Sequence, residues 1–112
     1  MGTGNVAVYC RVDSGGHPEM RQMVLAAQQH RLERYAEEKG LQIAGYYTDN
    51  GYSGQDMSRP ALKRLIEDYK NGAFDTVLVV NYCRLYRGNR RNEPRWQFQV
   101  CSINPLEKGR IR

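Results

Sequence analysis

Short apolar runs alternate with stretches of helical periodicity over the first 82 residues of the chain. The run Val-Ala-Val-Tyr-Cys-Arg-Val at 6–12 is nearly continuous, which predicts a strand covered on both faces. Over residues 20–36 the apolar side chains recur at helical spacing, and the glycine of Lys39-Gly40 is suited to end a helix. Residues 41–47 then predict a second strand.

The rest of the pattern predicts a long loop, a second helix and a buried strand. Residues 48–59 are rich in Asp, Asn, Gly and Ser, which is typical of a loop. Pro60 suits the first turn of a helix that is predicted to end at Asn71-Gly72. Residues 76–82 are the most apolar run and predict a central strand. After an arginine-rich stretch, three residues alternate like a short strand: Trp96, Phe98 and Val100.

This order of elements indicates the fold class. Strands that alternate with helices favour parallel pairing through helical crossovers. The chain is therefore predicted to be an α/β protein, a three-layer sandwich with a mainly parallel central sheet. In such sheets ligands bind at the carboxyl ends of the strands, so functional residues are expected after the first and third strands.

Composition narrows the class of protein. The chain has 112 residues, 40% hydrophobic and 26% charged, which suits one globular domain. It has no apolar run near the ~20 residues of a membrane span and no secretory leader pattern, so a cytoplasmic location without a membrane partner is expected. The three cysteines lack any C-x-x-C pairing and are expected to be reduced.

Charge is distributed unevenly along the chain. Residues 1–83 hold 9 Lys and Arg against 10 Asp and Glu, a net charge of −1. Residues 84–112 hold 8 against 2, a net charge of +6. A basic block of this kind suits a phosphate backbone, and the alternative interpretation is a solvated tail.

The predicted strand ends bring a hydroxyl and several arginines to one edge. The first strand delivers Arg11, Asp13 and Ser14, and the third delivers Arg84 and Arg87. A charge in an apolar strand is costly to bury unless it is paired or binds an anion, which favours a functional Arg11. Guanidinium groups hold phosphate oxygens in forked pairs, so arginines around Ser14 suit chemistry on a phosphodiester. Taken alone, Ser14 before two glycines is more typical of an ordinary turn than of a nucleophile.

Five motifs in order resemble one family. They are Tyr9-Cys10-Arg11-Val12 followed by a serine, "AEEKG" at 36–40, "YTDNGYSG" at 47–54, "SRPAL" at 58–62 and "RLYRGN" at 84–89. Together they resemble the catalytic domain of serine site-specific recombinases, the resolvase and invertase superfamily, and most of all its large transposon-borne branch. The resemblance covers residues 6–92, so we expect a catalytic domain over 1–92 and a truncated or divergent basic segment over 93–112.

The resemblance implies a mechanism and a set of site residues. The serine attacks a DNA phosphodiester, forms a 5′-phosphoserine link and frees a 3′-hydroxyl, which makes the nucleophile Ser14. The phosphate would be bound by Arg11, Arg59, Arg84 and Arg87. The site would be supported by Gln28, Asp49 and Tyr9. Arg90 and Arg91 would also contact DNA. The implied partner is double-stranded DNA, with a dimer or tetramer in the full-length protein, and no metal or other cofactor is implied.

The chain departs from the family pattern in three ways. Asp13 stands where the family places its serine, and Ser14 comes one residue later, which along a strand would point to the other side. Cys83 replaces the Asp or Ser that often precedes the third-strand arginine. The further strands, long dimerisation helix and DNA-binding region of a complete member are not expected to fit after Asn92.

Three functions therefore stand side by side. The first is an active recombinase domain, and the second is a catalytically silent, DNA-associated fragment. The third is a module that binds a small phosphate or nucleotide at a strand followed by a glycine-rich bend. The third lacks its usual motifs, because neither G-x-x-x-x-G-K-[ST] nor a strand followed by G-x-G-x-x-G occurs.

Overall fold

The structure is a computed structural model and describes residues 4–107. Its helices and strands, in chain order, are β1 (Asn5–Val12), α1 (Pro18–Lys39), β2 (Gln42–Asn50), α2 (Pro60–Lys70), β3 (Thr76–Val79) and β4 (Gln99–Ser102). The four strands form one sheet in the order β2-β1-β3-β4, and every neighbouring pair is parallel. The predicted parallel α/β sheet is confirmed.

Alternation along β1 separates the two faces of the sheet. Val6, Val8 and Cys10 pack in a core with Leu25 and Leu32 of α1. Ala7 and Tyr9 pack in a second core on the other face, where α2 contributes Ala61, Leu62 and Leu65. Successive side chains of a strand point to opposite faces, and β1 is apolar on both, so one helix covers each side. This arrangement is the predicted three-layer sandwich.

Both helices end where the pattern predicts, α1 at Lys39 and α2 at Lys70. α1 starts at Pro18 and is closed by Gly40, whose φ of 68° lies in the left-handed region that glycine adopts without strain. α2 starts at Pro60. The carboxylate of Asp49 accepts from the N–H groups of Ala61 (2.8 Å) and Leu62 (3.0 Å), so a buried side chain of β2 caps this helix.

Three predicted boundaries are wrong. β2 continues through residues 48–50, which were expected to begin a loop, because Thr48, Asp49 and Asn50 pair with Cys10, Arg11 and Val12. The third strand ends at Val79 rather than residue 82, and residues 82–84 form a 3₁₀ turn. The last strand spans 99–102 rather than 96–100. In each case pairing with a neighbouring strand, which local composition does not encode, sets the boundary.

β4 lies beyond Asn92, where the alternation at residues 96–100 predicts a strand although the resemblance leaves no room there for the further strands of a complete member. It pairs with β3 from Thr76–Gln99 to Val79–Ser102. Phe98 and Val100 are buried on the α2 side of the sheet. Residues 99–102 of the predicted basic segment therefore belong to the same sheet, and residues 108–112 lie outside the described residues.

The described part of the chain, residues 4–107, contains no helix that is long and apolar enough to cross a membrane. Its three cysteines are not bonded to one another. Cys10 is buried between the sheet and α1, whereas Cys83 is exposed at the carboxyl edge of the sheet.

Cys10, the most buried of the three cysteines, and Cys83, the most exposed, should be alkylated at very different rates. Burial raises the pKa of the Cys10 thiol to about 12, so at pH 8 almost none of it is thiolate. We expect iodoacetamide to modify Cys83 readily and Cys10 slower by a factor on the order of a hundred in the native protein. Peptide mass spectrometry against time measures both rates, and equal rates would contradict the packing of β1 under α1. Unfolding in urea should remove the difference.

Candidate active site

The candidate site lies where the sheet changes direction. The chain runs from β1 to β2 on one side and then returns to place β3 on the other side of β1. Connections that leave in opposite directions open a crevice at the carboxyl ends of the two central strands. Arg11 lies at the end of β1, and Arg84 and Arg87 follow β3, so the predicted edge carries the predicted arginines.

The guanidinium of Arg11 is fully buried and holds several loops together. It is 0% exposed and donates to three main-chain carbonyls, those of Tyr52, Cys83 and Arg84, each at 2.8 Å. Its Nη1 also donates to the Asp13 carboxylate. Hydrogen bonds of a charged donor to four oxygens compensate the cost of burial. The apolar strand can therefore carry a buried Arg11, because the fold places hydrogen-bond acceptors, most of them main-chain carbonyls, around its guanidinium.

The main chain of Arg11 is also fixed. β3 pairs with β1 only as far as Val8, so it does not reach Arg11. The side chain of Gln28 makes the hydrogen bonds that a neighbouring strand would otherwise make, accepting from the Arg11 N–H (3.2 Å) and donating to the Arg11 carbonyl (2.9 Å). Arg84 Nη1 donates to the same carbonyl at 3.0 Å. The buried Nε of Arg84 has no hydrogen-bond partner within residues 4–107.

Asp13 bridges two arginines. One carboxylate oxygen accepts from Arg11 Nη1 and the other accepts from Arg87 Nη1 at 3.0 Å. The side chain of Asp13 is 49% exposed and that of Arg87 is 61% exposed, so the bridge lies at the surface. The hydrogen bond from Arg11 lowers the pKa of Asp13 below its ordinary value, against the opposing effect of partial burial.

Ser14 lies beside this bridge without joining it. It is in an exposed bend, and its hydroxyl makes no hydrogen bond with any residue of the range 4–107. Its carbonyl accepts from Arg21 Nη1 at 3.1 Å, and Arg21 Nε donates to Asn50. The structure therefore brings the carboxylate of Asp13, rather than the hydroxyl of Ser14, into contact with the arginines. Ser14 is anchored through its backbone.

Arg59, which the resemblance implies as a phosphate ligand, lies beneath the site. It is 0% exposed, and its Nη1 donates to the Tyr9 hydroxyl (2.9 Å) and the Arg84 carbonyl (3.1 Å). Burial lowers the pKa of Arg59 and raises that of Tyr9. The Tyr9 hydroxyl donates to Asp49 at 2.7 Å. These three predicted residues form one buried network that supports the turn carrying Arg84.

Gly54 allows the two arginine-bearing segments to approach. A Cβ at this position would lie 2.7 Å from the Cβ of Arg87 and 2.9 Å from Arg11 Nη2. Those separations are shorter than van der Waals contact, so any side chain would push the segments apart. The N–H of Arg87 donates to the Gly54 carbonyl at 3.1 Å, which fixes the close approach.

The two further predicted arginines lie on the adjoining surface. Arg90 and Arg91 are exposed in a short 3₁₀ turn, Arg90–Asn92, which is capped by Asn89. Between this turn and the loop before α2 is an open cavity of about 280 Å³, lined by Gln55, Met57, Tyr86, Gly88, Asn89 and Asn92. A basic and amide-rich surface therefore continues from Arg87.

Sequence reasoning missed the contacts of Asp13, Arg21 and Tyr52. The sequence shows Asp13 as a departure from the family pattern. Its contact with Arg11 could have been inferred from its position two residues later, which puts both side chains on the same side of an extended chain. Tyr52 acts through its carbonyl, which any residue supplies. Arg21 has no local signal, because its acceptors are two carbonyls of a bend and the side chain of Asn50, 29 residues away.

The family profile described as "Resolvase, N terminal domain" matches residues 6–92, which is most of the chain. This chain is a member of the resolvase family. The match spans β1 through the turn at Arg90–Asn92 and so contains every predicted site residue.

Solved structures agree with the family assignment. The N-terminal catalytic domain of TP901-1 integrase is 38% identical with a TM-score of 0.70, over 89% of this chain and 77% of that chain. The C-terminal catalytic domain of ISC1926 TnpA, an IS607-like serine recombinase, is 27% identical with a TM-score of 0.67, over 76% and 57%. A resolvase family site-specific recombinase from Streptococcus pneumoniae is 31% identical with a TM-score of 0.62, over 75% and 57%.

This resolvase-family chain thus spans little more than half of the latter two chains. The first match, by contrast, is to a chain that is itself a catalytic domain. What the chain shares with all three is the fold, with TM-scores of 0.70, 0.67 and 0.62.

Proposed function

We propose that this chain is the catalytic domain of a mobile-element recombinase, which cuts and rejoins DNA at specific sites through Ser14. The supporting observation is the convergence of Arg11, Arg84 and Arg87 at one edge of the sheet, beside the bend that carries Ser14. The proposed partner is double-stranded DNA, in the cytoplasm, with the full-length protein acting as a dimer or tetramer.

The proposed reaction conserves bonds. The Ser14 oxygen forms a bond to phosphorus as the bond from phosphorus to the 3′-oxygen breaks, the serine proton passes to water, and the 3′-oxygen takes up a proton. The product is a 5′-phosphoserine link and a free 3′-hydroxyl. Attack by the 3′-hydroxyl of an exchanged strand reverses these steps and releases Ser14, so neither a nucleotide nor an oxidant is consumed.

The arginines have different parts in this proposal. Arg84 and Arg87, together with the Arg11 Nη1 that donates to Asp13 in the free protein, contact the non-bridging oxygens and stabilise the charge that develops on the phosphoryl group. Arg11 and Arg59, both fully buried, hold the carbonyls of residues 83–85 and so position the other two. Gln28, Asp49 and Tyr9 support this framework. Arg90 and Arg91 contact the DNA backbone nearby.

A second function is favoured by the Asp13 bridge. A carboxylate that already occupies Arg11 and Arg87 competes with a phosphate for the same donors. If this bridge is never broken, the chain is a DNA-associated fragment without cleavage activity. The two functions differ in whether a covalent bond to DNA forms.

Covalent trapping distinguishes the two functions. The full chain is incubated with short labelled duplexes of randomised centre, each with a nick that lets the cleaved end diffuse away, and is separated in denaturing detergent. We expect label on the wild-type protein and loss of that label to background in Ser14→Ala, because the alanine has no oxygen to attack phosphorus.

Ser102→Ala is the matched control, since this serine lies on β4 and its hydroxyl bonds to Glu107. It should keep the wild-type yield. Label that persists in Ser14→Ala would exclude Ser14 as the nucleophile, and absence of label from the wild type would favour the silent fragment.

A further inference from the structure

We propose that the Asp13 carboxylate acts as an internal substitute for phosphate, so that the oxyanion site of the free protein is self-occupied and a DNA phosphate binds by displacing it. This proposal deepens the proposed function and rests on it for the identity of the phosphate as DNA. The binding site itself is defined by three residues: Asp13, Arg11 and Arg87.

The bridge has the form of a bound oxyanion. Each carboxylate oxygen takes one guanidinium, Arg11 on one side and Arg87 at 3.0 Å on the other. A phosphodiester likewise presents two equivalent non-bridging oxygens, each able to accept from one arginine. The same pair of donors therefore fits either group, and only one of them at a time.

The charge balance favours exchange of one anion for another. The other groups that accept from Arg11 are neutral carbonyls, and Arg84 Nη1 also donates to a carbonyl, that of Arg11. Asp13 is thus the anion that both ion pairs of this cluster share. If it leaves, several guanidinium charges remain close together, a concentration of positive charge that attracts a phosphate.

The bridge is also placed where it can open. Asp13 follows the last residue of β1 and is half exposed, and Arg87 is more exposed still. Gly15 and Gly16 come directly after Ser14, and a Cβ at either glycine would have no neighbour within 4 Å. Rotation of the segment breaks the two exposed hydrogen bonds that Arg21 donates to the Ser14 and Gly16 carbonyls, but it leaves the packing of the core intact.

Rotation of this segment has a consequence for Ser14. Adjacent side chains of an extended segment point to opposite sides. A movement that turns Asp13 away from the arginines therefore turns Ser14 toward them. Under this proposal, arrival of the phosphate and presentation of the hydroxyl are one event.

Anion affinity tests the proposal without requiring catalysis. Inorganic phosphate is titrated at low ionic strength against the full chain while the backbone N–H signals of Ser14 and Gly15, which every variant retains, are followed by NMR. We expect Asp13→Asn to bind phosphate about tenfold more tightly than the wild type, because a neutral amide competes less well for the arginines. Glu37→Gln, in the last turn of α1 at the opposite edge of the sheet, removes the same charge and should change affinity less than twofold.

Two further variants keep the result interpretable. Arg87→Gln in the Asp13→Asn background should abolish the gain, since it removes one of the two donors. Equal affinities of Asp13→Asn and Glu37→Gln, with both proteins folded by thermal melting, would overturn the proposal. If Asp13→Asn unfolds, Asp13→Ser, which retains a small polar side chain, is measured in its place with the same expected direction.

A labelled DNA duplex distinguishes the source of the phosphate. A parallel gain in duplex affinity supports displacement by DNA, whereas a gain for inorganic phosphate alone overturns it. If Asp13→Asn binds both anions more tightly but never forms a covalent DNA link, the proposed recombination chemistry fails while the self-occupied site stands.

Discussion

We expect Arg11→Met to lower the free energy of unfolding by about 3 kcal/mol, because three main-chain carbonyls each lose a buried charged donor and each loss costs about 1 kcal/mol or more. Methionine roughly fills the volume, so the loss reflects hydrogen bonds rather than a cavity. Arg11→Lys should recover little of it, since one ammonium cannot reproduce a planar fork that reaches four oxygens. Urea unfolding followed by circular dichroism measures the change.

The matched control is Arg87→Met. Arg87 is 61% exposed, so its replacement should change the free energy of unfolding by no more than about 0.5 kcal/mol. Under the proposed function the same variant should reduce covalent DNA trapping by about a hundredfold or more. If Arg11→Met proves as stable as Arg87→Met, the buried guanidinium is not what holds the loops of the site together.

Asp49→Ala is expected to lower the free energy of unfolding by about 2–4 kcal/mol. Its carboxylate caps α2 through Ala61 and Leu62 and accepts from the Tyr9 hydroxyl, and it is 2% exposed. Alanine leaves all three donors buried without a partner. Asp49→Asn keeps one oxygen acceptor and should lose less. Thermal and urea unfolding give the values.

Glu67→Ala provides the comparison for Asp49. This residue is on the same helix, α2, and is exposed, so the change should fall within about 0.5 kcal/mol. Similar losses for the two variants would mean that the cap at the start of α2 does not stabilise the fold. A loss confined to Asp49 would support the network that joins β2, Tyr9 and Arg59.

The layers of the fold could be predicted because they depend on local pattern. The apolar run of β1, the helical spacing of α1 and the proline and glycine at helix ends each act over a few residues. Alternation of strands and helices then restricts the sheet to parallel pairing. The edge that carries Arg11, Arg84 and Arg87 follows from that topology alone.

The details of the site could not be predicted, since they depend on contacts between distant segments. The buried guanidinium of Arg11 is hydrogen-bonded by carbonyls 41 and 72–73 positions away, which have no side-chain signature. Arg59 is predicted at the end of a loop and is implied to bind the phosphate, yet it is buried under the turn that follows β3. The composition of Thr48–Asn50 is typical of a loop, but these residues pair with β1. The Asp49 side chain accepts a buried hydrogen bond from the Ala61 N–H, a contact that local composition does not indicate.

The register at the end of β1 shows the same limit. The sequence places Asp13 and Ser14 next to each other, and both are plausible neighbours of Arg11. The structure places the Asp13 carboxylate on the arginines and leaves the Ser14 hydroxyl outside the cluster. One residue of register therefore determines whether the free protein presents a nucleophile or an internal anion.

Mass spectrometry of the peptide that carries trapped DNA tests the account most directly. After nuclease digestion of the covalent complex, the account predicts a residual 5′-phosphate nucleotide on Ser14, within the peptide from Val12 to Arg21. A nucleotide attached to any other residue, or digestion that yields no modified peptide at all, would contradict it.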